Sequence, residues 1–244
     1  FYRGGTSKGM FFHPRDLPAE REAIDRILLA AIGSPDPYGR QLDGMGGGLS
    51  SLSKAVIIGP STHPDADVDY TFVQLAVDEP VADWSNNCGN LSSAVGHFAV
   101  DEGLVRASDG DVLVRIHQTN TRKLIHSRFA VKGGKAATRG DFVIAGVAGT
   151  GSPVRLDFLD PAGAVTGKLL PTGRVVDTLE VGPGDTVEAT LIDATSPVVY
   201  VEAATVGLDG TESPDRIEAT AGVMDRLERI RRAAGVAMGL GPTP

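Results

Sequence analysis

The sequence is poor in cysteine and in aromatic residues. Its single cysteine, Cys88, excludes an internal disulfide framework and a zinc site built on cysteines. Aromatic residues make up 5% of the chain, against 31 glycines, which indicates many tight turns and close backbone approaches. A chain with one unpaired thiol fits a reducing compartment, so we expect a cytoplasmic protein.

Long apolar runs and clusters of positive charge are absent as well. No stretch approaches the roughly 18 consecutive apolar residues that a membrane-spanning helix needs. The formal net charge is −8 and Lys and Arg form no run, which argues against nucleic acid as a partner. The five histidines include no pair at i, i+4 spacing, so we expect no metal ion.

The 244 residues, 41% hydrophobic and 22% charged, are typical of a soluble globular protein with one large or two small domains. The chain begins without Met inside a predicted strand and stops shortly after a predicted helix. We therefore expect a fragment, or a chain from which disordered parts are missing.

A few helical patterns stand among many short strands. Apolar spacing predicts helices over residues 19–32, 91–100 and 213–239, the last with its arginines on a solvated face. The predicted strands cover residues 1–12, 55–58, 69–77, 112–116, 123–131, 141–147, 154–159, 175–181, 186–192 and 198–201. Many short strands separated by glycine-rich turns favour a strongly curved or barrel-like sheet.

The stretch 83–100 joins a polar turn that holds Cys88 to an apolar helix. Unpaired N–H groups and the positive dipole end at a helix start favour a thiolate and bind carboxylate oxygens. The alternative is a structural cysteine, since free cysteines are among the most buried residues. His97, on the same predicted helix, has no local signature of a Cys–His dyad and is read as a core or edge histidine.

Three further features are candidate site elements. Lys54 precedes the buried strand 55–58, and a lysine beside low-dielectric walls can act as a base, although a surface lysine at a strand start is the alternative. The glycine-rich stretches 4–9 and 44–48 lack the order of glycines found in nucleotide-binding loops. Each either offers N–H groups and hydroxyls to a carboxylate or is a plain turn.

Seven segments, in chain order, resemble the PrpF family. They are RGGTSKG (3–9), IGSPDPYG (32–39), QLDGMGG (41–47), SK (53–54), DVDY (67–70), DWSNNCGN (83–90) and GKLLPTG (167–173). The resemblance runs from residue 1 to about residue 240 and is more specific than any single motif.

The resemblance implies an α+β fold like that of diaminopimelate epimerase. Such a fold has two similar domains, each a curled, mostly antiparallel sheet around a central helix, with the active site in the cleft between them. It assigns residues 1–120 to the first domain, with the helix after Cys88 at its centre, and 121–244 to a truncated second domain. The second central helix and its carboxylate-binding turn would then lie beyond residue 244.

The family includes methylaconitate and aconitate cis–trans isomerases, 4-oxalomesaconate tautomerases and methylitaconate isomerases. Its catalytic lysine matches Lys54, its active-site cysteine matches Cys88 and the serine of its first turn matches Ser7. Racemising relatives use two opposed cysteines, so the single cysteine here argues against a two-thiol racemase.

The resemblance predicts a cofactor-independent isomerase of a small unsaturated di- or tricarboxylate, with Lys54 and Cys88 as catalytic residues. The predicted substrate-binding residues are Arg3, Thr6, Ser7, Lys8, Met45, Gly46, Asn87, Gly89 and Asn90. The competing hypothesis is an inactive fragment, or a protein that binds an anion without turnover. The sequence does not select the substrate, and a homodimer remains open.

Overall fold

The computed structural model describes residues 1–241, which divide into two compact α+β units, Phe1–Asp160 (unit 1) and the described residues from Pro161 onward (unit 2). The division falls at Asp160, later than the predicted boundary at residue 120. The reason is that the strand after residue 120 pairs along its length with the strand before it, as an antiparallel hairpin of one sheet.

Unit 1 is built on a nine-stranded sheet. Its strands are β1 (Tyr2–Gly4), β2 (Ser7–Phe12), β3 (Lys54–Pro60), β4 (Val68–Leu75), β5 (Ala82–Asp83), β6 (Gly110–Gln118), β7 (Lys123–Lys132), β8 (Lys135–Ala136) and β9 (Arg155–Phe158). The order is β1-β2-β3-β4-β6-β7-β8, with β5 paired to β4 and β9 to β7. Pairing is antiparallel except between β2 and β3 and between β4 and β6.

Two helices belong to unit 1, α1 (Arg21–Ile32) and α2 (Gly89–Asp101). Both confirm the helices predicted from apolar spacing. Helix α1 ends where predicted, because Gly33 takes the left-handed conformation (φ 87°) that closes a helix C-terminus. The strand predicted over 141–147 is wrong: Phe142 makes an isolated bridge to Gly151, and Gly146 turns the chain with φ 79°.

The sheet of unit 1 curls around α2. This helix packs against β1 and β2 at one end of the strand order and against β6, β7 and β8 at the other. Leu91 and Val95 of α2 share one buried cluster with Val56, Tyr70 and Val114 of the sheet. The curved sheet around a central helix, predicted for the first domain, is confirmed.

Alternate residues of β3 face opposite sides of the sheet, as the pleat requires. Val56 and Ile58 lie in the cluster with α2. Ala55 lies in a second cluster, with Leu28 and Ile32 of α1. Each side of the sheet is therefore covered by one helix, and strand parity decides which helix a side chain faces.

Unit 2 holds an antiparallel sheet of β10 (Asp177–Gly182), β11 (Asp185–Ala194) and β12 (Ser196–Tyr200), with helices α3 (Pro214–Ala219) and α4 (Val223–Ala237). The single helix predicted over 213–239 is two helices, because Gly222 takes φ 78° between them. Ile230 and Ala234 of α4 pack in one cluster with Leu179 and Leu191 of the sheet.

The arginines of α4 do not all lie on a solvated face. Arg231 and Arg232 do, and both pair with Glu228 at 2.7 Å. Arg226 instead forms a half-buried ion pair with Asp185, 2.7 Å away. The predicted solvated face is therefore corrected at Arg226, which links α4 to the start of β11.

Within residues 1–241, no helix is both long and apolar enough to cross a bilayer. Over the same residues, no group of His, Cys, Asp and Glu side chains is arranged to hold a metal ion.

His97 of α2 gives the first testable prediction. Burial lowers the pKa of His97, partly opposed by the carboxylate of Asp101 one turn later. The folded state thus favours the neutral imidazole, while the unfolded chain takes up a proton below about pH 6.5. The free energy of unfolding should therefore fall as the pH drops below about 6.5.

Denaturant titrations between pH 7.5 and 5 measure this loss. A His97→Phe variant, which keeps a ring against Phe129 (ring centroids 4.6 Å apart in the native protein), should show a flatter profile. Equal slopes in the two proteins would contradict the prediction.

Candidate active site

Cys88 lies at the start of α2 and caps it. Its Sγ accepts a hydrogen bond from the Leu91 N–H at 3.5 Å, and its carbonyl accepts one from the Ser92 N–H at 2.9 Å. The N–H groups of Gly89 and Asn90, in the first turn, have no acceptor among the described residues. Two free donors and the positive end of the helix dipole thus lie beside the thiol.

Lys54 begins β3 and is 8% exposed. Its Nζ donates to Oε1 of Gln74 at 2.5 Å and lies 5.2 Å from the centre of the Phe72 ring. Since Lys54 has the strand parity of Val56, it lies on the side of the sheet that faces α2. Phe72 belongs to the same buried cluster as Cys88, so the amine and the thiol are on one side of the sheet, beside one set of apolar side chains.

The turn between β1 and β2 lies against the start of α2. Nδ2 of Asn90 donates to Oγ1 of Thr6 at 3.1 Å. A Cβ on Gly5 would stand 2.3 Å from Oδ1 of Asn90, and one on Gly9 would stand 2.6 Å from the carbonyl oxygen of Lys54. Glycine is therefore required at both positions, and it lets one hairpin touch the α2 start and the Lys54 backbone together.

Ser7 and the two predicted cations of this hairpin face opposite sides. A Cβ on Gly4 would point at the Asn90 carbonyl in α2, and Ser7 pairs directly with Gly4, so the Ser7 side chain faces α2 as well. Ser7 is 3% exposed. Arg3 and Lys8 pair with each other and point the other way. The substrate-binding role predicted for Arg3 and Lys8 stays a prediction, with both cations on the side of the hairpin opposite to Ser7.

Arg3 and Lys8 have local contacts on their own side of the hairpin. Nη1 of Arg3 donates to the carbonyl of Gly5 at 2.7 Å. Nζ of Lys8 lies 5.7 Å from the centre of the Phe1 ring. Both contacts are consistent with structural roles for these cations.

The glycine-rich stretch 44–48 closes the C-terminal end of α1. The N–H groups of Met45 and Gly46 donate to the carbonyls of Ala31 and Ile32, at 3.0 Å each. These N–H groups are therefore already used within the loop, and the substrate-binding role of Met45 and Gly46 stays a prediction. The Met45 side chain, 48% exposed, is the part of the loop left for another contact.

Asn87 is tied to the first turn of α2. Its Oδ1 accepts a hydrogen bond from Oγ of Ser92 at 3.3 Å. This contact orients the amide, whose Nδ2 has no acceptor within residues 1–241. The side-chain donor predicted at Asn87 is therefore present beside Cys88.

Asn120, which sequence reasoning missed, holds the Cys88 segment against the sheet. Along one edge of β4 the partner changes from β6 to β5, and Asn120 fills the gap. Its Oδ1 accepts from the Phe72 N–H at 2.9 Å, and its Nδ2 donates to the carbonyls of Phe72 at 3.0 Å and Trp84 at 2.5 Å. In the sequence it is one polar residue in a turn, so no signal pointed to it.

Trp84 anchors the same segment to α1. Its Nε1 donates to Asp25 at 2.9 Å, and the Arg21 guanidinium stacks 3.5 Å from the centre of its ring. With Asn120 on its carbonyl, Trp84 is fixed on two sides, four residues before Cys88.

Tyr70 lies beneath the thiol and was also missed as a site residue. Its hydroxyl donates to the Cys88 carbonyl at 3.4 Å, and the side chain is fully buried. Burial, with the charge of a Cys88 thiolate as a second cause, raises the pKa of Tyr70. The phenol therefore stays protonated, and its hydroxyl supports the start of α2 through the Cys88 carbonyl.

A family profile described as "PrpF protein" matches residues 1–243 of the chain. The chain is 48% identical over 241 residues to a 3-methylitaconate isomerase of Eubacterium barkeri, covering 99% of this chain and 63% of that protein. It is 45% identical over 251 residues to a 2-methyl-aconitate isomerase of Cupriavidus necator, covering 98% and 63%.

A crystal structure of a methylitaconate-delta-isomerase superimposes with a TM-score of 0.76 at 46% identity, covering 98% of this chain and 61% of that one. The chain thus spans slightly less than two thirds of the length of these relatives.

Proposed function

Since the chain belongs to the PrpF protein family, we propose that it acts as a cofactor-independent isomerase that moves a proton on a small unsaturated di- or tricarboxylate. One observation carries the proposal: the Lys54 amine and the Cys88 thiol lie on the same side of the sheet, beside free N–H groups of α2. The relatives named as methylitaconate and methylaconitate isomerases support this substrate class.

Lys54 is proposed as the proton shuttle. Its neutral amine takes a proton from the carbon next to a carboxylate-conjugated alkene, and the electron pair of that C–H bond delocalises into a dienolate. Return of the proton to another carbon moves the double bond, and rotation within the delocalised intermediate exchanges cis and trans. The product has the atoms and electrons of the substrate, so the reaction needs no oxidant, reductant or cofactor.

The dienolate places negative charge on carboxylate oxygens, which donors already in position stabilise. We assign this role to the N–H groups of Gly89 and Asn90, which point out of the first turn of α2. The Asn87 amide and the hydroxyls of Thr6 and Ser7 complete the proposed set.

Cys88 is proposed either as the second acid–base group or as a group that polarises the substrate. Its side chain caps α2, so it lies at the positive end of the helix dipole, beside the proposed substrate donors. A second thiol does not exist in the chain, so the proposed chemistry pairs one thiol with one amine.

The test is solvent exchange. The full-length protein is incubated in deuterium oxide with methylaconitate, aconitate, oxalomesaconate and methylitaconate in turn, and each acid is followed by proton NMR. At least one acid should gain deuterium at its allylic carbon and isomerise. Citrate, which has no alkene, should not exchange, and failure of all four unsaturated acids to exchange would overturn the proposal.

Two finer proposals and two standing predictions accompany this function. We propose a cytoplasmic location, supported by the single unpaired cysteine, and the small carboxylate alone as the partner. The epimerase-like character of the second domain stays a prediction, as does a homodimer.

A further inference from the structure

Gln74 is the hydrogen-bond acceptor that holds the Lys54 amine. Lys54 and Gln74 are directly opposite in the register of β3 and β4, and Nζ donates to Oε1 at 2.5 Å. Within residues 1–241, Lys54 makes no ion pair with a carboxylate. The amine is thus held by an uncharged group.

The backbone fixes which way the Gln74 amide points. Its Nε2 donates to the carbonyls of Ser50 and Ser53, at 3.0 Å each, and to the carbonyl of Leu75 at 3.3 Å. Carbonyl oxygens only accept hydrogen bonds, so the NH₂ group must face them. The amide oxygen is therefore turned toward Lys54 by three backbone groups.

Few charged groups face Lys54 from the surrounding elements. On β4 its neighbours are Gln74 and the Phe72 ring, and β2 presents Ser7 and Gly9, all uncharged. From the start of α2 comes the thiol of Cys88.

The carboxylate of Asp83 lies on the same side, because β5 pairs Asp83 with Gln74. It accepts hydrogen bonds from the Ser85 N–H at 2.8 Å and from Nδ2 of Asn86 at 3.4 Å. These two contacts commit Asp83 to the turn that follows β5.

We propose that Gln74 is the positioning residue for the proton shuttle: its oriented amide oxygen fixes the Lys54 amine without the counter-charge that would favour the ammonium form. A carboxylate in place of the Gln74 amide would hold the amine as firmly, but its negative charge would favour the protonated form of the amine. The inference rests on the proposed function, in which Lys54 carries the proton.

The test compares Gln74→Glu and Gln74→Met in the full-length protein by two readouts. One is the pH dependence of kcat on the acid that exchanges. The other, independent of activity, is the pH dependence of Lys54 acetylation by acetic anhydride, read by peptide mass spectrometry, because only the neutral amine reacts. Gln74→Glu should move both midpoints up by about one pH unit or more.

Gln74→Met keeps the side-chain length but has no acceptor for the amine. It should lower kcat about tenfold with little change in KM, because the shuttle and not the carboxylate site is disturbed. This variant also decides the question if Gln74→Glu does not fold.

Thr71→Val is the matched control. It removes the hydrogen bond between Oγ1 of Thr71 and Oγ1 of Thr119 (2.6 Å), and by strand parity Thr71 lies on the side of β4 opposite to Gln74. Its acetylation and kcat midpoints should stay at the wild-type pH.

Wild-type midpoints in Gln74→Glu, or wild-type kcat in Gln74→Met, would overturn the inference. The two proposals fail separately. If the wild-type protein exchanges no acid, the proposed function falls while the acetylation midpoints still test Gln74. If Lys54→Met is inactive and both Gln74 variants behave as wild type, only the inference falls.

Discussion

Replacing Lys54 by Met should lower kcat by about a thousandfold or more, with the fold retained. A positioned acid–base group contributes about 10²–10⁴ to a rate, and Lys54 is proposed to both remove and return the proton. Met fills nearly the same volume along β3, so packing against Phe72 is kept. The cost to stability is the loss of one hydrogen bond to Gln74, about 1 kcal/mol.

The measurement is kcat and KM on the acid that exchanges in deuterium oxide, together with the thermal unfolding midpoint. Lys132→Met, at an exposed position on β7 of the same sheet, is the matched control and should keep wild-type turnover. Near-normal turnover in Lys54→Met, with the control also normal, would remove Lys54 from the mechanism.

Cys88→Ser should lower kcat about a hundredfold or more while leaving the unfolding midpoint close to wild type. Serine is a better helix cap than cysteine and keeps an acceptor for the Leu91 N–H, so α2 still begins at the same residue. Its hydroxyl, however, does not ionise in the range where a thiol does. The loss of rate therefore reports the thiol and not the cap.

Cys88→Ala separates the two roles further. Alanine has neither the thiol nor the cap, so it should lose activity and also lower the free energy of unfolding by about 1 kcal/mol. If Cys88→Ser keeps full activity, the thiol is not an acid or base and Cys88 serves to cap α2 and bind substrate. The Ser and Ala variants then differ only in stability.

The fold of unit 1 was predictable where its signals are local. Gly33 marks the end of α1 and apolar spacing marks α2, because both depend on the conformation of a few neighbouring residues. In unit 2, the division between α3 and α4 was likewise local, because it depends on the conformation of Gly222. The strand predicted over 141–147 shows that apolar residues alone do not make a strand. In this segment only Phe142 pairs with another part of the described chain, by an isolated bridge to Gly151.

The site was predictable only in part. The family resemblance linked Lys54 with Cys88, whereas their spacing in the sequence did not. The two residues come together only when the sheet curls around α2, which no local sequence pattern reveals. The residues alone do not reveal that strand parity, fixed by the pairing of β1 with β2, places Arg3 and Lys8 on the side of the hairpin opposite to Ser7. Gln74 gives no signal as a single residue, since its role depends on register with Lys54.

The β3–β4 hairpin sets where length changes are tolerated in this protein. Lys54 pairs with Gln74 at one end of the hairpin, whereas the turn joins the strands at the other end, after Pro60 pairs with Val68. Residues inserted in that turn, between 61 and 67, leave the pairing and the Lys54 side intact. A single residue inserted in β3 between Lys54 and the rest of the strand would move the Lys54 side chain to the other face of the sheet, toward α1. We therefore expect natural differences in chain length to occur in the turn and not in β3.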